Sequence, residues 1–305
     1  MSDVASSAGR GPVKLEFSRM PQLRRSMPRM MLQRKPALVS AGRAVPRIEA
    51  TLAGYELDGG KLLDYRKVCG FAAHPYLPIT LPHVLAMPLH MEMLTHAAFP
   101  IGLLGLVHVR NEIVQHRRAR VDETLDLQVV IEGHRDTERG QEFELRTYAK
   151  VDDELVWEER CTFLARDRGR ARDGKPEGKG DERRGPPPLA DALLTSFVAP
   201  AGIGRDYALV SGDYNPIHLA ALTAKAFGFP RAIAHGMWLL GRIAAELEPR
   251  WPKGRTRYEA QFRQPVLLPA WVMLANRAQE GRIDFELRDD SGERLHLGGA
   301  VAPAD

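Results

Sequence analysis

The sequence predicts an α+β protein built from two copies of one unit, each an antiparallel sheet wrapped around a central helix. Three observations carry this expectation. A stretch rich in Gly, Pro and charge, RDRGRARDGKPEGKGDERRGPPP at 166–188, separates two blocks of similar size, 48–165 and 189–305. The second block places one long apolar helix ahead of a run of alternating segments, the order expected of a sheet that closes around a helix. Short stretches of the first block also recur, in the same order, in the second.

In the second block, GRDYALV and IHLAALTAKAFGF predict short helices on either side of a loop. AHGMWLLGRIAAEL then sets Leu240, Ile243, Ala244 and Leu247 at helical spacing. TRYEAQFRQ follows, with Tyr258, Ala260 and Phe262 alternating against Arg257, Glu259, Gln261 and Arg263, the period of a half-buried strand. AWVMLANRA, RIDFELR and RLHLGGAVA read the same way, with a turn at Asp290, Ser291 and Gly292 before the last. The 166–188 stretch has no apolar periodicity and predicts a flexible linker. Its glycines follow no strand and open no helix, so they do not predict a phosphate-binding loop.

The repeat is explicit. DYRKVCGF at 64–71 aligns with DYALVSGD at 206–213, and LPHVLAMPLHMEML at 81–94 stands where IAHGMWLLGRIAAEL stands at 233–247. This sets His83 opposite His235, and the later match of VHVRNEI with AQFRQPV sets Arg110 opposite Arg263. The spacing between copies grows from 142 to about 153 residues, so the first copy lacks roughly ten residues before its long helix. Pro88 falls beyond the first turn of that helix and is expected to kink it.

Bulk properties narrow the function. The chain has 305 residues, 44% apolar and 27% charged, as in soluble globular proteins. No apolar run approaches the length needed to span a bilayer, and the start lacks a secretory signal pattern. With only Cys69 and Cys161 there is neither a disulfide framework nor metal-ligand spacing, and the expectation is a reduced, cytoplasmic protein. His83, His90 and His96 lack the helical i, i+4 spacing of a zinc pair, so no metal is expected. The basic charge is localised: residues 10–35 carry a surplus of seven and 166–184 a surplus of three, against a net +4 for the whole chain. The remainder is mildly acidic, which argues against nucleic-acid binding. Residues 1–47 are expected to form a basic, poorly ordered extension.

One stretch carries chemistry. SGDYNPIH at 211–218 has the composition of a surface turn and also of an active-site loop. Pro216 suits the first turn of a helix, Asn215 its N-cap, and this sets Asp213 just before the helix and His218 within it. A carboxylate and an imidazole that can share one water form a general acid–base pair. Gly236 begins the long helix, where unpaired N–H groups and the helix dipole favour a developing oxyanion. The first copy has Phe71 where the second has Asp213, and nothing that matches Asn-Pro-x-His.

SGDYNPIH followed by AHGM resembles the MaoC-like (R)-specific enoyl-CoA hydratases, a hot-dog family whose signature runs G-D-x-N-P-x-H with a later H-G pair. Gly212, Asp213, Asn215, Pro216, His218, His235 and Gly236 match it. The resemblance covers the second block, and the degenerate first block makes the whole similar to the tandem hot-dog hydratases. It implies a cofactor-independent lyase that acts on CoA or acyl-carrier-protein thioesters. By this resemblance Asp213 and His218 hold the catalytic water and Gly236 binds the thioester carbonyl. Asn215 and His235 line the site, His235 also serving to position the helix start, and Phe71 helps to shape the acyl cavity. A thioesterase on the same scaffold and a non-catalytic acyl-thioester binder are the alternatives. Oligomeric state stays open, with a homodimer through the sheet edges as one arrangement.

Overall fold

The computed structural model describes residues 11–23, 28–29, 32–103, 105–167 and 186–304. Its first half contains strand β1 (Val13–Phe17), β2 (Ile48–Tyr55), helix α1 (Gly59–Cys69), α2 (Leu81–Thr95) and strands β3 (Leu106–Gln115), β4 (Leu125–Ile131), β5 (Arg135–Thr137), β6 (Gly140–Val151) and β7 (Glu154–Arg166). The second half contains β8 (Leu193–Ala199), α3 (Ile203–Ser211), α4 (Pro216–Leu219), α5 (Ala221–Ala226), α6 (Gly236–Leu247) and β9 (Thr256–Phe262), β10 (Ala270–Gln279), β11 (Arg282–Asp289) and β12 (Leu295–Pro303). Among the described residues no helix is long and apolar enough to cross a membrane.

The twelve strands of the described residues join in one sheet, ordered β1-β2-β4-β6-β7-β3-β9-β12-β11-β10-β8, with β5 attached to β6. Read outward from the centre, β3-β7-β6-β4-β2 of the first half mirrors β9-β12-β11-β10-β8 of the second. This is the tandem hot dog, and its two half-sheets fuse where β3 and β9 pair antiparallel, from Arg110 opposite Gln261 to Gln115 opposite Thr256. On the outer face of this seam Glu112 stands directly opposite Glu259, a pairing that is unfavourable alone. Arg160 and Arg257 lie 3.5 and 3.6 Å from Glu112, and Arg282 lies 3.5 Å from Glu259, which offsets the repulsion.

The repeated helices end in the same way. α1 and α3 both close on a glycine in the left-handed region, Gly70 (φ 81°) and Gly212 (φ 78°), whose N–H returns to the last turn. The α6 positions expected from helical spacing, Leu240, Ile243, Ala244 and Leu247, are buried. In β9 the alternation also holds, with Tyr258 and Ala260 buried. α2 runs from Leu81 to Thr95 with Pro88 inside it, and its buried face packs on β2, β4 and β6. The ten residues missing from the first copy are α4 and α5, which have no counterpart between α1 and α2.

The N-terminal residues depart from expectation. Val13–Phe17 adds a parallel strand to the edge of β2, and Val39 and Val45 are buried in the core. Lys35 donates to the carbonyl of His96 at the C-terminus of α2, 2.7 Å away, where a cation complements the helix dipole. Leu23 lies against Gly212, next to the loop that carries Asp213. Alternating apolar residues, hidden in a basic background, tie 13–17 to the fold, and the described residues at 11–23 and 32–47 are not the poorly ordered extension expected. Of the expected linker, 168–185 lie outside the described residues. Pro186 and Leu189 are held over the outer face of β11 by the Arg288 guanidinium and the Glu286 carboxylate.

The two halves also meet through their helices. Trp238 on α6 donates to the carbonyl of Val68 on α1 at 2.9 Å. A Cβ on Gly241 would fall 2.9 Å from the Cys69 sulfur and 3.2 Å from the Tyr65 hydroxyl, both fully buried. Gly241→Val therefore overpacks this crossing, with an expected loss of about 1–3 kcal/mol that a urea titration would show as a lower midpoint.

Candidate active site

Three elements deliver the site. α3 ends at Gly212, and the chain turns into Asp213, which lies directly beyond that cap. The Asp213 N–H donates to Ser211 Oγ at 3.1 Å, and Asp213 Oδ1 accepts the Asn215 N–H at 3.1 Å, so the loop is fixed from both sides. Asn215 caps α4, its side chain accepting from the Ile217 N–H. Pro216 opens that helix and His218 is its third residue. A Cβ on Gly204 of α3 would fall 1.9 Å from the His218 carbonyl oxygen, so only glycine lets α4 approach this closely.

The hydrogen bonds decide the tautomers. His218 Nδ1 lies 2.8 Å from the Ile233 carbonyl oxygen, and a carbonyl can only accept. The proton therefore sits on Nδ1 and Nε2 carries the free lone pair. His235 Nε2 donates to the Asp213 carbonyl at 3.0 Å and approaches its carboxylate oxygen Oδ2 at 3.8 Å. The two rings stack with centroids 3.7 Å apart. One donor atom each from Asp213, His218 and His235 fall within 4.8 Å of one another.

Electrostatics divide the roles. Burial keeps both imidazoles neutral at pH 7, lowering His218 against the pull of Asp213 and bringing His235 to about 3 with help from His218. Burial works to raise the Asp213 carboxyl, but His235, His218 and the Asn215 N–H outweigh it and hold it below the usual range. The result is an ionised carboxylate, 36% exposed, beside a neutral imidazole with a free lone pair. A single water between them meets one acceptor of each kind.

Gly236 is the first residue of α6, with His235 at its N-cap, so its N–H has no partner within the helix. A Cβ there would fall 2.8 Å from Phe262 Cε1. The glycine is thus required for packing as well as open to an oxyanion role. The structure brings Asp213, Asn215, His218, His235 and Gly236 together. Phe71 is elsewhere: it stacks on Tyr65 with ring centroids 6.1 Å apart, and the ring series continues through Tyr207 to His235. It has no described contact with Asp213 or His218.

The first half holds a polar cluster that the sequence did not reveal. His83, the counterpart of His235, bonds Glu159 at 2.8 Å, and Asn111 Nδ2 donates to the other Glu159 oxygen at 2.7 Å. Burial works to raise the Glu159 carboxyl, but His83 and Asn111 outweigh it and hold it at about 2. His83, Glu159 and Cys161 offer donor atoms within 4.8 Å of one another. Asn111 also reaches Met237 Sδ at 3.6 Å, so the cluster abuts the first turn of α6. No motif marks these residues, because they converge from α2, β3 and β7. A groove of about 550 Å³ lies on the opposite face of the sheet, among Arg110, Glu112, Arg160, Glu259 and Arg263, and does not include Asp213 or His218.

A tandem hot dog with this loop and helix start defines the class: the chain belongs to the MaoC-like dehydratase family. Residues 198–288 match the family model described as MaoC like domain. The chain is 34% identical over 257 residues to 3-hydroxyacyl-thioester dehydratase X of Mycobacterium tuberculosis, covering 84% of this chain and 90% of that protein. It is 41% identical over 63 residues to 3-hydroxybutyryl-CoA dehydratase of Methylorubrum extorquens, covering 20% of this chain and 40% of that one. The crystal structure of HtdX from Mycobacterium tuberculosis superposes with a TM-score of 0.72 at 30% identity, covering 84% of this chain and all of that one. A MaoC-like dehydratase from Phytophthora capsici shares the fold, with a TM-score of 0.67 at 18% identity over 86% of this chain and 96% of that one.

These buried rings carry a stability signature. Burial holds His90, His108 and His235 at about 3, 4 and 3, whereas an unfolded imidazole titrates near 6.5. Below that value the unfolded chain binds more protons than the folded one, so stability falls as pH falls. Thermal melts from pH 8 to 5 should show a melting temperature that is level above about 7 and declines progressively below about 6.5. A melting temperature that rises toward pH 5 would contradict the assignment of neutral buried rings.

Proposed function

We propose that this chain is a cofactor-independent hydro-lyase that interconverts trans-2-enoyl thioesters and (R)-3-hydroxyacyl thioesters. The observation that carries the reading is the pairing of an ionised Asp213 with a neutral His218 whose Nδ1 is committed to Ile233, set beside the free N–H groups at the start of α6. The dehydratase names of relatives at 34 and 41% identity support the same reaction class.

In the hydration direction, Asp213 and His218 Nε2 hold a water against C3 of the enoyl group. The water oxygen bonds to C3 while one of its protons passes to the pair, and the C2=C3 electrons move toward the thioester. Negative charge collects on the thioester oxygen, where the Gly236 N–H and the positive end of α6 stabilise it. Return of the proton to C2 completes the addition and regenerates the pair. His235 keeps the Asp213 loop in place through its carbonyl, and Asn215 does so by capping α4. The reaction uses no metal or redox cofactor, and CoA or acyl carrier protein enters as part of the substrate.

The test follows loss of the conjugated enoyl absorbance with trans-2-enoyl-CoAs of increasing chain length, beside a thiol reagent that reports free CoA. Hydration without thiol release is the expected result. Asp213→Asn should fold normally and lower kcat by about 10²–10⁴. Thiol release would identify a thioesterase instead, and near-normal turnover by Asp213→Asn would overturn the site.

A further inference from the structure

The strand at the seam contains an irregularity that changes the facing of the residues before it. Between β3 and β7, Asn111 stands opposite Cys161 and Arg110 opposite Thr162, but the next β7 residue, Phe163, stands opposite His108, so Val109 is the extra residue of a β-bulge. Without it, strict alternation from Asn111 would point Val109 inward and His108 outward with Glu112. The bulge instead turns His108 to the helix-facing side, onto the face that holds Phe163, Cys161 and Glu159.

There the His108 ring lies between two phenyl rings, 4.9 Å from Phe163 and 4.8 Å from Phe262. Phe262 is the ring that lies against Gly236. A residue of the half without the acid–base pair is thereby carried to within one ring of the proposed oxyanion donor. His108 Nε2 is buried and has no hydrogen-bond partner among the described residues. The main chain of Arg110 favours a proton on the ring, but burial outweighs it and holds the ring neutral at about 4. Nε2 is therefore a buried polar atom without a partner, which costs free energy until a ligand group reaches it. His235 Nδ1 and Asn111 Oδ1 are likewise buried without partners among the described residues. A buried polar atom left unmet in this way is expected where a ligand supplies the missing bond.

We infer that His108 contacts the substrate, its Nε2 accepting a hydrogen bond from a hydroxyl on the acyl group or from an amide N–H of the pantetheine arm. The inference rests on the acyl-thioester reading above. It makes the first half a contributor to recognition. It also assigns the bulge at Val109 a function, which is to aim this side chain.

Two variants separate recognition from packing. His108→Phe keeps the stack of rings and removes the acceptor; His108→Gln removes the ring and keeps an acceptor. Calorimetric binding of 3-hydroxyhexanoyl-CoA and of hexanoyl-CoA is measured for both variants and the parent protein, with melting temperatures recorded. The expected result is a stable His108→Phe protein that binds 3-hydroxyhexanoyl-CoA about tenfold more weakly, and a His108→Gln protein within about threefold of the parent. Weakening restricted to the hydroxylated ligand identifies the acyl hydroxyl as the donor, and equal weakening of both identifies a pantetheine amide. Parent-like binding by His108→Phe overturns the inference, as does a His108→Gln protein that binds no better than the Phe variant. Because these are binding measurements, a parent protein that binds both ligands and hydrates no enoyl-CoA would overturn the proposed activity and leave the His108 result standing.

Discussion

The pairing of β3 with β9 is the constraint on which the rest of the molecule depends. Each half-sheet alone would expose a long central edge, and the ladder from Arg110–Gln261 to Gln115–Thr256 removes both edges at once. It also fixes where the helices can lie. With the strands in register, the start of α6 falls beside β3, so that Met237 touches Asn111 and Gly236 meets Phe262. The tautomer of His218 and the ionisation of Asp213 matter chemically only because the seam has already brought the helix terminus into place.

Much of this was legible in the sequence. Periodicity located the α6 stripe from Leu240 to Leu247 and the alternation in β9, because helix and strand periods are local properties. SGDYNPIH was legible because a short polar motif with an N-cap and a following proline specifies its own geometry. The N-terminal strand was not, since charge density hid the alternation of Val13, Leu15 and Phe17, and its pairing with β2 is non-local. The Glu159 cluster was invisible for the same reason. Phe71 was placed by its alignment with Asp213, but side chains at matching positions of two copies need not face matching surroundings, and Phe71 packs on Tyr65.

The repeat also aligned His108 with Gln261, which misleads in an instructive way. A bulge inserts one residue and reverses the facing of everything on one side of it. Gln261 therefore lines the outer groove while His108 faces the core. Sequence alternation carries no mark of such an insertion, and VHVRNEI reads as an uninterrupted strand. The register of β3 against β7 is what exposes it.

A pair of identical subunits meeting along such a seam would have to accept every substitution there twice, once on each side of the two-fold axis. A change that improved one catalytic loop would be imposed on its mate, and a bulge that suited one strand would distort the other. Joining the halves in one chain lifts that obligation. Arg110 can then face Gln261, one strand can carry a bulge while its partner runs regular, and one half can give up α4 and α5. The molecule keeps the architecture of a symmetric dimer and is free of its bookkeeping.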